Sequence, residues 1–310
     1  MRVLIMGAGA VGGYCGAVLA QHGHDVTFVA RGTHLAALQQ RGLEVRSRGK
    51  TNLIDPVHAV ANAADAGEKI DLVLFTVKGY DTDAAAASLR SMVGPDSAVL
   101  TLQNGIDSVD RLADALGAEC VLPGTIMIWS VVAAPGVIEE TGPFCRITFG
   151  EASGAVTPRV ERIAAAFREA GLEATVSTDA RLAIWRKFIG LAPHATITSA
   201  CDAPVGPIRE TEEGLSLYRA LISEAIAVGR AAGVELPDDT LESTMGIVHS
   251  IPAAAKTSMQ FDFERRHRVE LDSLTGAVVR RGRELHVPTP GFDALYAVLK
   301  VRALAFNGLA

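Results

Sequence analysis

Arg2-Val3-Leu4-Ile5-Met6-Gly7-Ala8-Gly9-Ala10-Val11-Gly12 is the stretch that decides the fold. A short apolar strand runs into three glycines spaced G-x-G-x-x-G, and residues 10–21 continue as a helix of small and apolar side chains. Asp25-Val26-Thr27-Phe28-Val29-Ala30 then reads as the next strand. Strand, glycine turn, helix and strand in this order form a dinucleotide-binding unit. The first glycine permits the tight turn, the second lets backbone approach a pyrophosphate, and the third brings helix close to strand. The helix start offers free N–H groups and a positive dipole end to the phosphates. Gly7, Ala8, Gly9, Ala10, Val11 and Gly12 are therefore the candidate cofactor loop. A glycine-rich turn of purely structural value is the alternative, and the complete strand–helix–strand setting counts against it.

The end of the second strand chooses the cofactor. An Asp or Glu there would hold the ribose hydroxyls of NAD, but this chain has Arg31, 19 residues after Gly12, followed by Gly32 and Thr33. A guanidinium suits a 2′-phosphate through paired, charge-assisted hydrogen bonds, so NADP(H) is expected. A solvated surface arginine is the competing reading.

Working outward, the alternation continues. Residues 71–77 are a nearly continuous apolar run, as in a strand covered on both faces. Residues 98–102 and 119–122 repeat it, with helical stretches at 81–92 and 108–116 between. Such alternation implies a parallel, doubly wound, Rossmann-type sheet. Between residues 124 and 149, strand-like pieces separated by Pro-Gly and Thr-Gly-Pro predict antiparallel additions to the sheet edge. A helix over 158–170 leads to a last strand near Thr175. After Ser177 the pattern is helical, with long segments at 179–199, 212–232, 258–285 and 292–304. The expected class is α/β: a Rossmann-type domain over residues 1–178, followed by an all-helical domain over 179–310.

Composition narrows the function. The 310 residues suit two domains at about 150 residues each. With 49% hydrophobic and 21% charged residues the chain buries a sizeable core, which excludes disorder as its main state. A net charge of −6 argues against nucleic acid as a partner. Cys15, Cys120, Cys145 and Cys201 make no C-x-x-C pair and read as small buried hydrophobes in a reducing compartment. The apolar start resembles a signal peptide, but its glycine spacing and the strand that follows argue otherwise. Residues 121–138 carry no charge, yet Pro123-Gly124 and Pro135-Gly136 break them into strands, so no membrane span is expected. The expectation is a cytoplasmic protein. The histidines show no ligand spacing of the H-x-x-x-H kind, and no metal is expected; neither a G-x-S-x-G nor a Cys–His pairing suggests a covalent nucleophile.

Further motifs fall in order along the chain: Val77-Lys78, Leu102-Gln103-Asn104-Gly105, Trp185-Arg186-Lys187, and Thr257-Ser258-Met259 ahead of Glu270-Leu271-Asp272. Together with the glycine loop and Arg31 they resemble the ketopantoate reductase family over nearly the whole chain. The resemblance implies an active site in the cleft between a Rossmann and a helical domain. It implies NADPH-dependent reduction of a 2-keto acid to a 2-hydroxy acid, as in 2-dehydropantoate 2-reductase. Hydride addition builds negative charge on the ketone oxygen, so the site needs a proton donor there. The resemblance puts Lys187 in that role, and the apolar Ile184, Trp185, Phe188 and Ile189 around it speak against an ordinary surface lysine.

By the same resemblance Glu270 is the acidic partner, holding substrate hydroxyl or ribose and orienting Lys187. Its competitor is an ordinary helix-surface carboxylate. Asn104 touches the nicotinamide side and the lysine, Lys78 the cofactor phosphates or ribose, and Ser258 the substrate carboxylate. The basic run Arg265-Arg266-His267-Arg268 reads as a solvated helix face.

Departures from the family concern the substrate. Its lysine helix carries asparagines four and eight residues past the lysine and another about eighteen past; here these are Leu191, Ala195 and Val205. That predicts a more apolar wall and weaker discrimination for a substrate hydroxyl. His194, about two turns from Lys187, either projects into the cleft in place of an amide or packs beside Pro193. Two other readings compete: a β-hydroxyacid dehydrogenase-like enzyme, against which Asn104 and the Ser258–Glu270 spacing stand, and a non-catalytic NADP sensor, which has no use for a proton donor. A homodimer through the helical half is open by analogy, without a heptad seam to mark it.

Overall fold

Apolar runs flanked by turn residues become the strands of a central sheet in the computed structural model, which describes residues 1–67, 70–94, 97–142, 144–306 and 308–309. The strands are β1 Arg2–Met6, β2 Asp25–Val29, β3 Leu43–Ser47, β4 Lys50–Ile54, β5 His58–Val60 and β6 Leu72–Phe75. They continue as β7 Ala98–Thr101, β8 Val121–Met127, β9 Ser130–Ala134, β10 Val137–Glu140, β11 Arg146–Phe149 and β12 Glu173–Val176. The helices are α1 Ala10–Gln21, α2 Gly32–Arg41, α3 Thr82–Leu89, α4 Ser108–Leu116, α5 Pro158–Glu169 and α6 Ala180–Cys201. Then follow α7 Val205–Arg209, α8 Glu212–Ala231, α9 Thr240–Ser250, α10 Ser258–Glu264, α11 Thr275–Glu284 and α12 Pro290–Leu304.

Eight strands form the main sheet in the order β12-β11-β8-β7-β6-β1-β2-β5. From β8 to β5 every pairing is parallel, with β1 lying between β2 and β6. The strand order therefore reverses beside β1, the position where open parallel sheets bind ligands at the carboxyl ends of their strands. The glycine loop follows β1, Lys78 follows β6 and Asn104 follows β7. Val3, Leu4, Ile5, Leu72, Val73, Leu74, Val99 and Leu100 are all buried, the two-sided cover that their unbroken apolar runs imply. Each such side chain contributes about 1.5–3 kcal/mol by leaving water.

The edge additions are only partly as expected. β11 joins β8 antiparallel and β12 joins β11 parallel. But β9 and β10 leave the main sheet and pair with β3 and β4 in a separate sheet, ordered β4-β3-β10-β9. Packing explains the departure: Leu43, Val45 and Ile138 from this small sheet share a buried cluster with Tyr14 and Cys15 of α1. It shields a helix whose residues are almost all apolar and which would otherwise face water.

By contacts the chain divides into two units: residues 1–103 with 108–183, and residues 104–107 with 184–310. Among its described residues the second unit is all helical. Trp185 and Phe188 pack edge-to-face at 5.7 Å on α6, and Thr211 caps α8 by accepting the Gly214 N–H. Arg209 Nη1 donates to the carbonyls of Val248, His249 and Ile251 at 2.7–2.8 Å, closing an α9 terminus whose carbonyls have no helical partners.

The long helix expected over 258–285 is two helices with an irregular turn between them. α10 ends at Glu264 and Arg266 adopts a left-handed φ of +55°. The turn is then held down by the buried side chains of Val269, Leu271 and Leu274 and by the Val269 N–H to the Gly308 carbonyl at 2.9 Å. The basic run thus lies on a turn, with residues 265–267 exposed, and not on a helix face.

Candidate active site

The glycine loop in the first unit has a distinct reason for each glycine. Gly7 sits at φ +103°, in the left-handed region that only glycine enters freely, and a Cβ there would run into Val77. Gly12 lies against the strand: a Cβ would collide with the Gly7 carbonyl oxygen, the Thr76 hydroxyl and Ile5. Gly9 is the opposite case, with no atom of the described residues within 4 Å of where its Cβ would be. It also occupies the N-cap of α1 and supplies no side-chain cap, so no capping side chain takes up the N–H groups of the first turn. An uncapped helix start beneath an open cradle fits a pyrophosphate.

Two bonds hold the loop in place: Ala8 N–H to the Val29 carbonyl at 2.9 Å, and Thr76 Oγ1 to the Gly7 carbonyl at 2.8 Å. Thr76 was not singled out from sequence; its signal is its position at the end of the strand beside the loop. Gln103, quoted above within the Leu102–Gly105 motif without a role of its own, is a second residue that fixes a strand end. It is buried, and its Nε2 donates to the Val77 carbonyl and to Thr82 Oγ1, each at 2.9 Å, tying the strand end that carries Lys78.

Arg31 stands at the N-cap of α2, just past β2, with its side chain 67% exposed and its Nη1 3.9 Å from Asp81 Oδ2. At that exposure the ion pair is weak, and the guanidinium can turn to a phosphate. Lys78 is half-buried at the end of β6.

In the second unit the structure joins Lys187, Asn104 and Glu270. Lys187 Nζ donates to Asn104 Oδ1 at 2.7 Å. Asn104 comes from the 104–107 loop. Gly105, at φ +104°, lies there with its α-carbon pressed toward the Ser273 carbonyl, and Arg280 Nη2 grips Asp107 Oδ2 at 2.7 Å. Glu270 is 5% exposed on the turn between α10 and α11, so the surface-carboxylate reading does not hold. Burial pulls the Lys187 ammonium down to about 8, and the Glu270 charge partly offsets that by favouring the protonated form. The result is an amine held on the Asn104 carbonyl oxygen with a titration point of about 8, the properties of a proton donor.

Ser258 is not joined to this group: it is exposed in the first turn of α10, and its side chain makes no hydrogen bond to another described residue. Of the three positions where the resemblance expects asparagines, Ala195 and Val205 are wholly buried and only Leu191 reaches accessible surface. His194 is bonded through Nδ1 to the Tyr218 hydroxyl, and the two rings are near-parallel. Tyr218 is 24 residues away on α8, and no local pattern points to it. Among the described residues no three His, Cys, Asp or Glu side chains cluster to hold a metal, and no helix is long and apolar enough to cross a membrane.

Comparison with known proteins identifies the family. The family model described as ketopantoate reductase PanE/ApbA matches residues 3–154, and the model for its C-terminal part matches residues 179–303. A 2-dehydropantoate 2-reductase of Halobacterium salinarum is 33% identical over 97% of this chain and 98% of its own. One from Mesorhizobium japonicum is 32% identical over 97% of both. The crystal structure of a PanE/ApbA family ketopantoate reductase from Ralstonia eutropha superposes with a TM-score of 0.91, at 32% identity, over 99% of this chain and 100% of that one. The chain belongs to the ketopantoate reductase family, and so to the oxidoreductases that act on a keto or hydroxyl group with a nicotinamide cofactor.

Proposed function

We propose that this protein reduces a 2-keto acid to the 2-hydroxy acid with NADPH, acting as a 2-dehydropantoate 2-reductase (ketopantoate to pantoate), with Lys187 as the proton donor. The observation that carries the reading is the Lys187 amine, fixed on Asn104 at 2.7 Å and titrating at about 8. NADPH, when bound, supplies the hydride that adds to the keto carbon. The carbonyl π pair then moves to oxygen, and a Lys187 N–H directed at that oxygen transfers its proton there, leaving a neutral amine. Asn104 holds a second N–H and so fixes the direction of the first. Glu270 keeps the amine protonated at neutral pH and can accept a hydrogen bond from a ribose or substrate hydroxyl. Ser258 would take the substrate carboxylate. The Gly7–Gly12 loop, Lys78 and Arg31 would hold the cofactor.

A second reading keeps the chemistry and changes the substrate to a 2-keto acid with a more apolar tail. It is favoured by Leu191, an aliphatic side chain on the accessible side of α6. NADPH oxidation with ketopantoate beside 2-keto acids of increasing apolar bulk separates the two. Faster turnover of a bulkier acid moves the assignment to the second reading, and no turnover of any of them removes both.

Two outcomes follow from the electrostatics. Below pH 8 Lys187 is an ammonium, so reduction runs at a plateau; above it the donor is lost and kcat falls about tenfold per pH unit. Since the Glu270 charge raises the Lys187 titration point, Glu270→Gln moves that limb to lower pH. A limb that stays in place would dissociate Glu270 from the lysine. For cofactor choice, Arg31→Ala is expected to raise KM for NADPH by tenfold or more and leave KM for NADH within about twofold, since it removes a charge-assisted pair to the 2′-phosphate alone. Equal effects on both cofactors would mean that Arg31 does not read the phosphate.

A further inference from the structure

Between residues 187 and 199, α6 is buried except at Lys187, Gly190, Leu191 and His194. At 100° per residue these four fall within about 100° of the helix circumference, with Lys187 and His194 about 20° apart. They are one stripe, and at its middle there is open space: no atom of the described residues lies within 4 Å of where a Gly190 Cβ would be. The stripe runs from the amine of Lys187 over a floor of backbone and a leucine side chain to an imidazole.

That imidazole is oriented. Its Nδ1 is bonded to the Tyr218 hydroxyl, and Tyr218 is wholly buried with no other described hydrogen-bond partner. If the imidazole donated, the phenol O–H would be left buried and unsatisfied; the phenol therefore donates to Nδ1, and the proton of the neutral ring sits on Nε2. Burial and the charge of Arg209 hold His194 down to about 4, so it stays neutral at physiological pH. Nε2 makes no hydrogen bond to a described residue and is not among the buried unpartnered atoms, so its N–H is directed into accessible space.

We infer that His194 is a specificity-determining residue: its Nε2–H, aligned by Tyr218 as positioning residue, donates to an oxygen on the tail of the 2-keto acid whose ketone lies at Lys187. This rests on the reductase reading above and adds the residue that reads the substrate's tail. The acid has apolar carbon next to the ketone, lying over Gly190 and Leu191, and an oxygen acceptor at its far end.

Two acids test it because they differ by one oxygen: ketopantoate, which is 4-hydroxy-3,3-dimethyl-2-oxobutanoate, and 3,3-dimethyl-2-oxobutanoate. The native protein is expected to prefer the hydroxylated acid in kcat/KM by about tenfold or more. In His194→Leu that preference collapses to within about twofold through KM for ketopantoate, with kcat nearly unchanged and KM for the other acid unmoved. His194→Gln, which keeps a side-chain N–H donor, restores part of it. If His194→Leu folds and the preference stays, or if both acids lose activity alike, the residue only packs the helix and the inference is overturned while the reductase reading stands. A native protein inert on both acids overturns the two together.

Discussion

Lys187→Met is expected to remain folded, to bind NADPH as the native protein does, and to lose about 10²–10⁴ in kcat for keto-acid reduction, the range that a positioned general acid supplies. The variant should also melt no lower than the native protein at pH 7. The folded protein holds the Lys187 amine at about 8 against 10.5 for a free lysine, so the folded state binds this proton less tightly than the unfolded one. The penalty is therefore fully present below pH 8 and is relieved as pH rises from 8 toward 10.5. A methionine of similar length carries no charge to desolvate. It relieves at most about 3 kcal/mol at pH 7 and less in practice, because the lysine is half-buried and Asn104 loses its donor. Thermal melts at pH 7 and pH 9.5 check this: the native protein gains stability on the alkaline side relative to the variant. A variant that retains a tenth or more of native kcat would remove Lys187 from the chemistry.

The second large effect divides two glycines of one loop. Gly9→Val should leave stability close to native and abolish NADPH binding, with Kd raised a hundredfold or more. The new side chain fills the open cradle, and the backbone there, at φ −74°, accepts any residue. Gly12→Val should act the other way round. Its side chain has to displace the Gly7 carbonyl, the Thr76 hydroxyl and Ile5, whose Cγ2 lies 2.8 Å from the Cβ position. Overpacking of this kind costs about 1–3 kcal/mol, so the melting point falls and binding fails only as a consequence. NADPH fluorescence titration beside thermal melting distinguishes the two. Gly9→Val binding NADPH with native affinity would mean that the cofactor does not lie over this helix start.

Much of this was readable without coordinates, for physical reasons that differ by element. The glycine loop and the central strands were legible because their requirements are local: three glycines in one turn, and apolar runs that can only be covered on both faces. β3 and β4 were not, since they are short and half-exposed strands whose reason for pairing is a surface on α1 and a hairpin about ninety residues away. The turn between α10 and α11 was hidden because Leu271 and Leu274 continue the apolar spacing of Met259 and Phe263 that a helix also satisfies; the buried contacts decided against the helix. Lys187 and Asn104 stood out through the family resemblance, which the apolar neighbours of the one and the place of the other after a parallel strand only supported. Tyr218 had no signal, because the imidazole it orients lies on another helix.

A single helix, α6, carries both the amine and the imidazole on either side of Pro193, and this limits how the protein can change over evolutionary time. Their separation is seven residues at a rise of about 1.5 Å each, so the helix is a ruler of roughly 10 Å. One inserted or deleted residue between positions 187 and 194 would swing the imidazole about 100° out of line, into the packed interior. Variation in this segment is therefore confined to exchanging side chains along the ruler, and changes in length are admissible only close to whole turns.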